Sequence, residues 1–158
     1  MTKKTRKNTP ADQRVLDSYS SFTEGLGRYL GEGYEVILHD LSDLDHSVMS
    51  IANGFHSGRT KGSPITDLGL SLLSDLEKDP DLKYMEYFNK DQSGNPIKSC
   101  TIVIRGEHDD PVGFMCINCY LGTSLGTMLS SFIPREDAPE NSSVTESFAA
   151  DPSSLIGS

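Results

Sequence analysis

Three places in the chain bring together residues able to do chemistry. Cys116 and Cys119 form a C-x-x-C. On a helix or turn that spacing serves thiol exchange or half of a zinc site. Here it lies in a stretch that reads as strand, where positions i and i+3 face opposite sides about 10 Å apart along the chain. Unless the strand is broken, the pair can share neither a metal nor a disulfide, and no second C-x-x-C follows. Both thiols are therefore expected to behave as small hydrophobes. A second cluster, His39, Asp40, Asp43, Asp45 and His46, gathers two imidazoles and three carboxylates, a set a transition metal could use. The alternative is a polar hairpin loop whose Asp side chains cap the turn. In the third, Arg59 and Lys61 sit among Gly54, Gly58 and Gly62. Glycine-rich loops with basic residues cradle anions. This one lacks the Gly-Lys-Ser/Thr ending of a nucleotide loop, and it also reads as a surface loop needing positive φ. The four histidines (His39, His46, His56, His108) have no triad spacing, and there is no G-x-S-x-G. The expectation is a protein that is not an enzyme.

The elements that must position these groups follow from periodicity. Thr9, Pro10 and Asp12 form a helix start: a hydroxyl cap, proline in the first turn and an early acid. Val15, Leu16, Tyr19, Phe22, Leu26, Tyr29 and Leu30 then recur at helical spacing until Gly31 and Gly33. Residues 34–39 and 47–52 read as two strands joined by a hairpin loop at 42–46. The glycine loop, 53–64, leads into a short helix over 66–76 with Leu68, Leu72, Leu73 and Leu76 on its apolar stripe. Three more strands are predicted at 84–89, 97–105 and 112–121, separated by turns rich in Asp, Asn, Gly and Pro. A last helix is predicted over 123–132. The fold class is therefore α+β, a five-stranded antiparallel sheet with helices packed on one face.

Composition narrows the function further. At 158 residues the chain suits one compact domain. No apolar run approaches the ~18 residues of a membrane helix, and no apolar stretch follows the basic N-terminus as in a secretion signal. Three cysteines are an odd number, which points to a reducing cytoplasm rather than a disulfide framework. The net charge is −9, unevenly spread. Residues 1–14 carry five basic groups and one acid, and read as a flexible basic tail. Residues 15–133, the candidate domain, carry eight basic groups and seventeen acids. Residues 134–158, rich in Pro, Ser and acids, read as a linker. A core this acidic is a poor partner for DNA phosphates, so any DNA contact must come from another segment or chain.

Several of these blocks resemble a known family. The run from Tyr34 to Ser42 (Tyr-Glu-Val-Ile-Leu-His-Asp-Leu-Ser), with Ser47, Ile51-Ala52-Asn53-Gly54, Ser57-Gly58-Arg59, Gly62-Ser63-Pro64 and Thr66-Asp67-Leu68-Gly69-Leu70, is similar to the YheO-like PAS domain. Lys98-Ser99 to Arg105 and Val112 to Asn118 resemble that family's final two strands. The similarity covers roughly residues 15–133. Cys119 departs from it at a position where an acid is expected. The resemblance implies the sensor half of a bacterial transcription regulator whose helix-turn-helix follows it. No helix-turn-helix pattern fits before Ser158, so contact with DNA is expected only through a C-terminal domain outside this chain. The implied partners are a second copy of the chain, forming a homodimer, and a small-molecule effector, with no membrane. Haem and flavin are both compatible with a PAS-like fold, but no attachment residue is present and the cofactor is unassigned. His39, Asn53, His56, Arg59 and Asn118 are the candidate ligand-binding residues, because they are polar, lie in the matching blocks and fall near strand ends or in the glycine loop. Two rival readings are a dimerisation module with a filled core, and a small metal-dependent enzyme built on His39 and His46.

Overall fold

The computed structural model describes residues 6–134, together with Glu136 and Ser153. The first helix, α1 (Pro10–Leu30), begins at the predicted start signal. The Thr9 hydroxyl accepts from the Asp12 backbone N–H at 3.1 Å, and the Asp12 carboxylate accepts from the Thr9 N–H at 3.0 Å. This reciprocal cap satisfies two of the helix's orphan donors. The domain boundary drawn at residue 15 thus falls inside α1, which starts at Pro10. Residues 10–14 are helix because Asp12 also ties this end to the body of the protein. It is fully buried, and it accepts from Arg6 at 3.2 Å and from the backbone N–H of Glu107 at 2.9 Å. Those bonds, first the Thr9 and then the Glu107 N–H, hold its carboxyl below the usual carboxylate range. The linker expected over 134–158 lies almost wholly outside the described residues.

Five strands follow: β1 (Tyr34–Asp40), β2 (Val48–Ala52), β3 (Tyr84–Lys90), β4 (Pro96–Arg105) and β5 (Pro111–Tyr120). They form one antiparallel sheet in the order β2-β1-β5-β4-β3. A hairpin and a three-strand meander are thus joined by pairing β1 with β5. Between β2 and β3 comes α2 (Asp67–Lys78), capped by Thr66, whose hydroxyl accepts from the Gly69 N–H at 3.1 Å. The short α3 (Leu125–Ser130) follows β5. Of the two readings of the His39–His46 cluster, the structure has the Asp-capped turn. Asp43 caps a short 3-10 turn, Leu44–His46, and Asp40 accepts from the Ser42 N–H at 2.7 Å. His39 is buried, whereas His46 is exposed and bonded to Asp43. Among the described residues no group of three or more His, Cys, Asp or Glu is placed to hold a metal ion.

The sheet is five-stranded and antiparallel as expected, but the two long helices do not share a face. The reason is visible in β1, where Glu35, Val36, Ile37, Leu38 and His39 are buried in succession. Alternate residues of a strand point to opposite sides, so such a run is covered on both. Val36 and Leu38, with Met115 and Ile117 of β5, pack against Leu16, Tyr19, Leu26 and Leu30 of α1. Phe114 and Cys116, one residue out of phase, pack on the other side with Leu72, Leu73 and Leu76 of α2. Gly113 in β5 lets the backbones close on each other: a Cβ there would lie 2.5 Å from Leu16 and 2.7 Å from the His39 carbonyl oxygen.

Candidate functional site

The α2 side of the sheet carries the polar groups. Strand register sets them in rows across four strands. Glu35 of β1 pairs with Asn118 of β5, which pairs with Ser99 of β4, which pairs with Tyr87 of β3. The next row runs Ile37, Cys116, Thr101 and Met85, and beyond it His39 pairs with Phe114. On the opposite flank Tyr120, Ile97 and Asn89 form another row. Above this floor, α2 and the glycine loop close a cavity of about 140 Å³, with Leu72, Gly69, Ile65, Ser57 and Arg59 on its upper wall.

Glu35 is the hub. It is only 1% exposed, and its carboxylate accepts from the Ser57 hydroxyl, from Asn118 Nδ2 at 3.1 Å and from the Tyr120 hydroxyl at 3.3 Å. Burial and then the Glu35 charge raise the phenol of Tyr120 well above its usual range. Further along the floor, Tyr87 and Thr101 hydroxyls lie 3.0 Å apart, and Thr101 Oγ1 lies 3.3 Å from Cys116 Sγ. Burial pushes the Cys116 thiol up to about 11, so it is not a reactive thiolate. His39 Nδ1 sits 2.9 Å from the Ser47 hydroxyl. Burial, with the Arg59 charge second, pushes its imidazole down to about 4, so it is neutral at physiological pH. Two buried polar atoms find no partner among the described residues, Ser99 Oγ and Asn89 Oδ1.

Of the five candidate residues from the sequence, His39, Arg59 and Asn118 line this cavity. Asn53 and His56 do not. Asn53, at φ +57, donates through Nδ2 to the carbonyls of Gly31 (3.0 Å) and Tyr34 (2.7 Å), fixing the start of the loop. His56 donates to the Glu32 carbonyl and stacks on Tyr120, with ring centroids 4.1 Å apart and planes 8° apart. Both fasten the loop over the cavity rather than face into it. The loop's glycines meet two different backbone demands. Gly58 and Gly62 take positive φ, and Gly54 approaches the Arg59 carbonyl so closely that a Cβ would lie 2.5 Å from it. Sequence reasoning missed Glu35, Tyr87, Asn89 and Tyr120. Two signals were present: an acid inside an otherwise apolar strand, and alternation in β3 that sets Met85, Tyr87 and Asn89 on one face. Cys116 and Cys119 are free thiols; Cys116 lies on the α2 side, three strand positions from Cys119.

A model of the YheO-like PAS domain matches residues 9–134, which contain all of these elements up to α3. The chain belongs to this family. The protein YheO of Escherichia coli K12 is 39% identical to it over 150 residues, which are 93% of this chain and 62% of that protein. A protein of Haemophilus influenzae Rd is 36% identical over 136 residues, 86% of this chain and 61% of that one. The chain thus spans less than two thirds of the length of these relatives. Among solved structures, this YheO-like domain is similar to the PAS domain of the fruit-fly ELK potassium channel. The match has 12% identity and a TM-score of 0.44, and covers 73% of this chain and all of that one. The Rhodobacter sphaeroides LOV protein is similar at 16% identity and a TM-score of 0.42, over 75% of this chain and 73% of that one. Among the described residues no helix is long and apolar enough to cross a membrane.

Proposed function

We propose that this YheO-like PAS domain is a cytoplasmic small-molecule sensor, not an enzyme, that works as a homodimer and controls DNA binding by a helix-turn-helix domain elsewhere in the same protein, with residues 134–158 as the connection. The observation that carries this reading is the cavity whose floor carries polar residues from three strands, Glu35 and His39 of β1, Tyr87 and Asn89 of β3, and Asn118 and Tyr120 of β5. A core that only held the fold together would be filled with apolar side chains, because buried polar groups cost free energy unless each is bonded. The acidic balance of residues 15–133 supports a division of labour in which another domain touches DNA. A ligand that prefers one dimer arrangement shifts the population of DNA-competent molecules.

Native mass spectrometry of gently purified protein, repeated after denaturation, tests the sensing half. A small mass released on denaturation is the expected result. A chain with no released mass, whose melting temperature ignores every metabolite tried, overturns it. A second reading, a ligand-free dimerisation module, is favoured by one observation: Phe22 and Tyr29 on α1 are 54% and 81% exposed. Light scattering together with native mass spectrometry on the Phe22→Glu variant separates the two. In both readings the variant is expected to become a monomer, but only in the sensor does it still release a ligand.

A further inference from the structure

Resting on the sensing reading above, we infer that the cavity between α2 and the sheet selects a short-chain monocarboxylate, of about two to four carbons, held by Arg59. Size sets the first limit. A cavity of about 140 Å³ holds roughly five water-sized groups, at about 30 Å³ each. Drug-sized ligands and tricyclic cofactors fill pockets of about 300–1,000 Å³.

Hydrogen-bond polarity sets the second limit. Glu35 already accepts three bonds, from Ser57, Asn118 and Tyr120. On the walls, unused capacity among the described residues is left on Arg59, a donor, beside one unpartnered acceptor, Asn89 Oδ1. Arg59 carries five N–H groups in a planar fork, and among the described residues its side chain meets one acceptor, the Pro64 carbonyl. Gly58, at φ +71, turns the chain immediately before Arg59, which lines the cavity. His39 lines the same cavity, with Nδ1 2.9 Å from the Ser47 hydroxyl.

Charge sets the third. A guanidinium in a partly desolvated wall favours an anion, and the fork matches a carboxylate bidentately. The buried Glu35 carboxylate in the same wall repels a second negative charge, which disfavours dianions such as phosphate. Ile37, Ile65, Leu72 and Phe114 supply an apolar remainder for a short alkyl tail.

Calorimetric titration of the whole chain with sodium acetate, propionate, pyruvate and lactate tests the inference, with acetamide, propylamine and inorganic phosphate as controls at matched ionic strength. Saturable binding of at least one carboxylate and none of the controls is expected. Replacing one charge-assisted pair, in Arg59→Gln, should raise Kd about tenfold or more. Because Arg59 is only partly buried, that variant should keep the parent melting temperature, which checks that the fold is intact. Equal binding of acetamide, no saturable binding of any carboxylate, or unchanged Kd in Arg59→Gln overturns the assignment. The two proposals fail separately. A released mass that is not a carboxylate sinks this inference and leaves the sensor standing. No released mass and no binding sinks both.

Discussion

Acidification should cost this protein stability in part through His39. Its imidazole is 4% exposed, and its pKa is pushed from 6.5 to about 4. The unfolded chain therefore binds the proton first, and the native state resists it. The contribution of a neutral His39 is complete above about pH 6.5, falls as the pH drops towards about 4, and is flat below that. A difference of about 2.5 pH units at about 1.36 kcal/mol each gives a total near 3 kcal/mol, of which about 2 kcal/mol is lost by pH 5. The perturbation that isolates it is His39→Gln, which cannot titrate and keeps a polar atom for Ser47. Urea unfolding of both proteins from pH 7.5 to pH 4.5 is the assay. Carboxylate titration is common to the two and cancels in the difference. The parent should lose about 2 kcal/mol more than the variant between pH 7.5 and pH 5. Parallel stability curves, within about 0.5 kcal/mol, would refute the claim that His39 is buried in its neutral form.

Three further substitutions probe the fold and the site. Gly113→Ala places a methyl against Leu16 and the His39 carbonyl, and since backbone cannot yield cheaply it should cost about 1–3 kcal/mol in urea unfolding; an unchanged midpoint would show that β5 shifts freely. Glu35→Gln keeps the shape but turns one acceptor oxygen into a donor facing Ser57, Asn118 and Tyr120. A loss of about 1–3 kcal/mol is expected, and a gain in stability would mean that the buried charge outweighs its hydrogen bonds. Thr66→Ala removes the cap of α2 and should lower stability by about 1 kcal/mol, read by thermal melts followed by circular dichroism.

Most of the element order was legible because the signals are local. The Thr9-Pro10-Asp12 start, the period-two strands and the Asp- and Gly-rich turns each act within a few residues, and each element lies where its own pattern placed it. The side on which the helices sit was not legible in the same way. The signal was the run from Glu35 to His39, buried on both faces, but Glu35 and His39 read as polar and masked it. The site was half legible for a related reason. His39, Arg59 and Asn118 line the cavity, whereas Asn53 and His56 spend their side chains on the carbonyls of residues 31, 34 and 32. A glycine loop with polar residues tells that something is held closely, but not whether the thing held is a ligand or the chain itself. Glu35 is the converse: its importance comes from Ser57, Asn118 and Tyr120, which lie 22 to 85 residues away in sequence.

The two-sided burial of β1 also guards the assembly of the sheet. A slip of one residue against β5 would rotate Glu35 and His39 towards Leu16 of α1 and drive Val36 and Leu38 into the polar row. An unpaired carboxylate in an apolar core costs several kcal/mol, far more than a lost ladder bond. A strand apolar on both faces has no such penalty and could settle in either frame. The same acid that shapes the cavity thus also specifies strand alignment, because the slipped frame would bury its charge against α1.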